Sequence, residues 1–225
     1  MTKCGSIRPE APSQDPRHSE IREIRLSRKA FDSVRVTSNN LFYRFLLSTC
    51  RLVFDSLLVD EATGKVRFRD FTRDEDKMAG LFQSFLFNFI ARECAEWTVK
   101  SENIGWQAVS STDPNLQLLP RMQTDISARR SGEYRIIDAK YYRRTLSSYF
   151  DIDKLHSGNL YQMGSYLMNA KTIGGIQADG MLIYPKVDRD LREKYEILGR
   201  NISVFTVDLN APWQSIAQEL RALMA

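Results

Sequence analysis

A chain of 225 residues with 43% hydrophobic and 27% charged residues is long enough for one packed domain and has the balance of an ordinary globular protein. Its 32 Lys and Arg against 28 Asp and Glu give a formal charge of +4 and a pI near 9.0, compatible with a polyanionic partner but not diagnostic of one. Cys4, Cys50 and Cys94 form no C-x-x-C pair, which argues against a disulfide framework or a cysteine zinc site, and no stretch approaches the length of a membrane span, so a cytoplasmic protein is expected.

Residues 1–20 contain Pro9, Pro12 and Pro16 among polar residues, lack the apolar run of a signal peptide, and are expected to be disordered. Residues 21–36 are rich in Arg and Lys and read as a short strand or turn, with Ser38, Asn39 and Asn40 as candidate caps for the next helix. Phe42, Phe45, Leu46, Val53 and Leu57 recur at helical spacing, predicting that helix over 41–59, with its stop at a turn over 60–64. Residues 21–74 thus form a helical N-terminal extension packed on a core that comprises 75–225.

The spacing predicts a second helix over 75–98, whose stripe of Met78, Leu81, Phe82, Phe85, Leu86, Phe89 and Ile90 is a core-packing face. From Ile104 onward the period shortens to two. Residues 104–110, 116–128 and 134–142 read as three strands of an antiparallel meander, punctuated by Asp113-Pro114 and Ser131-Gly132. Helical spacing returns over 154–171 and ends at Gly174-Gly175; 180–185 and 202–209 are apolar strands, and 212–224 is a closing helix. The order is that of an α/β fold: a mixed central sheet with an antiparallel meander, flanked by helices, and an extra N-terminal helix. No G-x-x-x-x-G-K-[ST] loop is present, so no nucleotide site is expected, and no nucleophile elbow marks a covalent hydrolase.

Chemistry concentrates on one predicted hairpin. Asp138 and Lys140 are two apart in a strand, so they share a face about 7 Å apart along it. If Ser131-Gly132 is a two-residue turn, Arg130 pairs with Glu133 and counting back brings Asp125 opposite Asp138. Two carboxylates so opposed repel unless a cation neutralises them. Mg²⁺, with its preference for hard oxygen ligands, suits the pair, with Mn²⁺ as a substitute. Lys140 would then hold the attacking water and neutralise charge on a phosphate. Glu75-Asp76-Lys77 fits the same D/E-x-K pattern but opens a helix, where acidic residues complement the dipole.

From about Ile24 onward, the chain resembles the nuclease portion of the McrC family within the PD-(D/E)xK superfamily. The likeness rests on Leu26-Ser27-Arg28, Arg35-Val36-Thr37, Asn39-Asn40, the segment from Met78 to Phe82, that from Met122 to Asp125, Ile136-Ile137-Asp138-Ala139-Lys140-Tyr141, Leu160-Tyr161-Gln162 and Leu182-Ile183-Tyr184-Pro185. The resemblance implies a restriction-endonuclease-like core and a metal-dependent endodeoxyribonuclease of a methylcytosine-directed restriction system, acting in phage defence on double-stranded DNA with an McrB-like GTPase ring. It implies metal binding by Asp125, Asp138 and the Ala139 backbone carbonyl, catalysis by Lys140 and support from Gln162. Thr124 stands where the family usually has Pro, and Gln83 where it tends to have a helix Glu, which leaves Gln83 as a weaker metal or support residue.

Arg143 and Arg144, directly after the site, are the candidate DNA contacts, ahead of Arg121, Arg129, Arg130 and Arg135. The rival reading is a catalytically weak DNA-binding or assembly subunit that keeps the fold. Gln83 favours it; the intact Asp125, Asp138 and Lys140 favour the enzyme.

Overall fold

The computed structural model describes residues 26–35, 41–59, 66–68, 74–142, 145–149, 152–172 and 174–225. The chain divides into two compact units, Met1–Arg35 and Val36–Ala225. In the first, the described structure is helix α1 (Arg28–Ser33), in place of the strand or turn expected there. Ser27 makes the difference: its hydroxyl accepts from the Ala30 N–H at 3.2 Å, satisfying a donor that the first helical turn leaves open. The candidate caps Ser38, Asn39 and Asn40 lie outside the described residues.

The second unit opens with α2 (Leu41–Ser56), which gives way to a short antiparallel pair, β1 (Leu57–Val59) and β2 (Val66–Phe68). Helix α3 (Glu75–Glu93) follows, with Asp74 as its cap accepting from Lys77 N–H at 3.2 Å and pairing with the Lys77 ammonium at 2.9 Å. The second D/E-x-K match is therefore part of a helix start. The helix stops five residues short of the predicted end because residues 98–100 are taken into the sheet as β3 (Thr98–Lys100).

The expected strand over 104–110 is two residues long, β4 (Asn103–Ile104), and pairs with the equally short β5 (Met122–Gln123). Between them residues 105–121 form a loop pinned by side chains: Trp106 Nε1 donates to Pro120 O at 2.7 Å and Asp113 accepts from the Gln117 and Leu118 amides. The expected strand over 116–128 is thus divided, its second part being β6 (Ile126–Arg130). A break at Thr124 and Asp125 separates it from β5.

β6 and β7 (Glu133–Ala139) form the predicted hairpin, with Arg130 opposite Glu133 and Ile126 opposite Ile137. Gly132 supplies the left-handed turn residue at φ 79°. After β8 (Ser147–Tyr149) and β9 (Ile152–Lys154), a small antiparallel pair not read from the sequence, come α4 (Ser157–Asn169) and β10 (Ala178–Pro185). β11 (Arg192–Ile197) and β12 (Arg200–Val207) meet across Leu198 and Gly199, both at positive φ, a geometry suited to a tight hairpin. Helix α5 (Trp213–Met224) closes the chain.

Six strands make one mixed sheet in the order β11-β12-β10-β7-β6-β3. β3, β6 and β7 are the antiparallel meander; β7, β10 and β12 are mutually parallel; β11 is antiparallel at the other edge. Strand alternation sends Ile137, Met181, Ile183, Phe205 and Val207 to a face packed by Phe82, Leu86 and Phe89 of α3 and Ile216 and Leu220 of α5. It sends Ile136, Leu182, Tyr184, Ile202 and Val204 to the opposite face, packed by Met163, Tyr166 and Leu167 of α4. The product is a three-layer α/β/α arrangement in which α4 and the even-numbered residues of β7 share one interlayer space. Among the described residues no helix is long and apolar enough to cross a membrane.

Candidate active site

The hairpin register holds along its length: the residue numbers of every pair sum to 263, which puts Asp125 and Asp138 at the next opposed position. Asp125 lies at the bend before β6 and Asp138 near the end of β7. Asp125 Oδ2 reaches across the pair and accepts from the Ala139 N–H at 2.9 Å. Asp138 is 1% exposed, and neither carboxylate oxygen has a hydrogen-bond partner.

Lys140 Nζ lies 2.9 Å from Asp138 Oδ2, an ion pair by distance, but its aligned hydrogen bond goes to Gln162 Oε1 at 2.8 Å. Gln162 Nε2 in turn donates to the Tyr166 hydroxyl at 2.7 Å, and that hydroxyl donates to the Gln123 carbonyl at 2.9 Å. The relay fixes the amide so that its oxygen faces the ammonium, and it returns to the strand two residues before Asp125.

Electrostatics follow from this burial. Asp125 is pushed up from 3.8 to about 6, first by loss of solvent and then by the Asp138 charge, against the pull of the Ala139 amide and Lys140. Burial also raises Asp138, with Lys140 opposing. Burial alone would lower Lys140, but the two carboxylates outweigh it and hold the ammonium above its ordinary value. The pair sets two acids against the one Lys140 ammonium, so it has carboxylate oxygens to spare. Such oxygens could hold a hard divalent cation. Among the described residues no group of three or more His, Cys, Asp or Glu is placed to hold a metal ion. A pair of carboxylates suits Mg²⁺, which keeps several waters and is commonly bound by one or two carboxylates.

Thr124 shows why proline is absent before the first Asp. Its N–H donates to Glu102 O at 2.9 Å and its hydroxyl accepts from the Glu102 N–H at 3.0 Å, tying the bend to the connection between β3 and β4. Proline would remove the first of these bonds and supply no hydroxyl for the second.

A family model for the McrBC 5-methylcytosine restriction system component matches residues 11–185, a span that contains Asp125, Asp138, Lys140 and Gln162. This chain belongs to that family. It is 37% identical over 215 residues to the type IV methyl-directed restriction enzyme EcoKMcrBC of Escherichia coli K12, an alignment covering 96% of this chain and 62% of that protein. The McrBC-family chain therefore spans less than two thirds of the length of the relative it matches.

Within this McrBC-family site the structure brings Asp125, Asp138, Lys140 and Gln162 together. Gln83, on α3, lines a cleft of about 600 Å³ that also contains Asp125. Ala139 contributes its amide to Asp125. Arg143 and Arg144 lie outside the described residues. The other arginines weighed for DNA are engaged elsewhere: Arg121 with Asn103, Arg129 with Glu102, and Arg130 and Arg135 with Glu133. Arg130 and Arg135 also flank the Trp97 ring at 4.5 and 4.7 Å.

Tyr166 is the functional candidate that sequence reading passed over. Its signal was available, since Gln162 and Tyr166 are four apart on one helix and so share a face. Tyr161, next to Gln162, is 75% exposed, and of the described cysteines Cys50 is exposed and Cys94 buried.

Proposed function

We propose that this McrBC-family chain is a Mg²⁺-dependent endonuclease with a PD-(D/E)xK centre, hydrolysing phosphodiester bonds of double-stranded DNA in the cytoplasm as part of a methylcytosine-directed restriction system. The observation that carries the reading is Asp138, a carboxylate 1% exposed whose oxygens have no hydrogen-bond partner, held opposite a second carboxylate and beside a lysine. Two buried carboxylates against the single Lys140 ammonium leave one negative charge uncompensated, which is costly unless a further cation completes it. Asp125, Asp138 and the Ala139 carbonyl would hold the ion, with Mn²⁺ able to replace Mg²⁺. When bound, the ion polarises the scissile phosphate and acidifies a water.

The remaining steps belong to protein groups. Lys140 is protonated at neutral pH, so it donates rather than abstracts: it orients the attacking water and stabilises the negative charge that builds on the phosphate. Gln162, held by Tyr166, keeps the Lys140 ammonium aimed at the dyad. Arg143 and Arg144 would hold the DNA backbone after the site. An McrB-like GTPase ring would supply nucleotide hydrolysis, for which this sequence has no phosphate loop.

Gln83 supports the second reading, a catalytically weak DNA-binding or assembly subunit, because an amide beside Asp125 is a poorer cation ligand than a carboxylate. Plasmid cleavage decides between them. The purified chain, with and without a GTPase ring subunit, is assayed in Mg²⁺ and in EDTA beside Asp138→Ala. Cleavage that needs both the ion and Asp138 is expected; equal behaviour of the two proteins with the ring present would overturn the nuclease reading.

A further inference from the structure

Several of the described cations around the sheet are held by carboxylates: Arg129 by Glu102, Arg130 and Arg135 by Glu133, Arg221 by Glu93 and Lys186 by Asp208. Arg44, on α2, and Lys100, at the end of β3, have no such partner among the described residues. Both are exposed, and both line the cleft of about 600 Å³ that contains Asp125. They reach it from separate elements, helix α2 and the edge strand β3 of the sheet.

The rest of the lining suits the same occupant. Gln83, Ser48 and Gln123 present neutral polar groups, and Phe45 and Phe87 present aromatic surface. Asp125 is the cleft's one acid, and a cation bound there would cancel its charge. Two unquenched cations from separate elements in one lining that also holds neutral donors and aromatic rings are the chemistry that tracks a nucleic-acid strand: phosphates on the cations, sugar or base against the rings.

We propose that this cleft is the track for the strand being cut, with Arg44 and Lys100 holding the phosphates that flank the scissile one. The proposal rests on the nuclease reading and assigns the substrate's path through it, on residues distinct from Arg143 and Arg144. DNA would pass between α2 and the β3 edge, where the phosphate nearest Asp125 meets the dyad.

Binding of a fluorescein-labelled duplex oligonucleotide, followed by anisotropy in Ca²⁺ over a range of salt with the DNA verified intact, tests it. Arg44→Ala and Lys100→Ala are each expected to weaken binding several-fold and to lower the slope of log K against log salt by about one. Lys194→Ala is the control, since β11 lies at the opposite sheet edge, about 24 Å away by strand spacing. Wild-type affinity and slope in both cleft variants, an equal loss in Lys194→Ala, or no measurable binding by the wild type would overturn the inference. Cleavage that still depends on Asp138 would leave the nuclease reading standing.

Discussion

Replacing Asp125 by Asn is expected to stabilise the metal-free protein at pH 7.5 and to change it little near pH 4. The folded carboxyl titrates at about 6 against an ordinary 3.8, so between those values the folded state binds more protons than the unfolded one. Stability therefore falls as pH rises through that window and, for this group, stays low above it. A displacement from 3.8 to about 6 corresponds to about 3 kcal/mol at neutral pH, a ceiling because water and counter-ions relax around the dyad. Asn can still accept from the Ala139 N–H and leaves the Asp138–Lys140 pair intact, so the ionisation cost is what the substitution removes. Urea unfolding in EDTA measures it: with a slope of about 2–3 kcal/mol/M the midpoint should rise by as much as about 1–1.5 M at pH 7.5. Saturating Mg²⁺ should narrow the gap by stabilising the wild type. A variant less stable than wild type at pH 7.5, or equally stabilised at pH 4, would refute the buried-dyad argument.

Tyr166→Phe should release the Gln162 amide, cost about 1–3 kcal/mol through the unpaired Gln123 carbonyl, and reduce plasmid cleavage while leaving Mn²⁺ affinity near wild type. Unchanged cleavage would show that the relay does not position Lys140. Gln83→Glu is expected to tighten Mn²⁺ binding in isothermal titration calorimetry, and an unaltered affinity would remove Gln83 from the metal's surroundings. Gly180→Ala brings a Cβ to within 2.8 Å of Met163 Cγ and Sδ, where α4 crosses β10. It should lower stability by about 1–3 kcal/mol, read as a fall in Tm, and a wild-type Tm would mean that Met163 has room to turn aside.

What the sequence determines by itself is what local chain geometry carries. Alternation in a strand puts Asp138 and Lys140 on one face whatever packs there, and a two-residue turn at Ser131-Gly132 leaves one register, which brings Asp125 opposite Asp138. The apolar stripes of α3 and α5 likewise declare a buried side. Local rules failed where a neighbour decides the outcome. Residues 104–110 alternate like a strand yet become a loop after Ile104, because Trp106 and Asp113 find loop partners closer to hand. β11 carries six exposed residues, four of them charged, and only pairing with β12 makes it a strand.

The candidate site shows the same division. The two acids and the lysine are neighbours through the hairpin, a contact of short range in sequence. Gln162 and Tyr166 reach them only because α4 packs on the even-numbered face of β7, and Gln83, Arg44 and Lys100 meet Asp125 only where α2, α3 and the β3 edge converge. Periodicity states which face of an element is apolar but not which element covers it. The hairpin and its charges are therefore written in the sequence, whereas the relay behind Lys140 and the cleft before Asp125 exist only once the layers have packed.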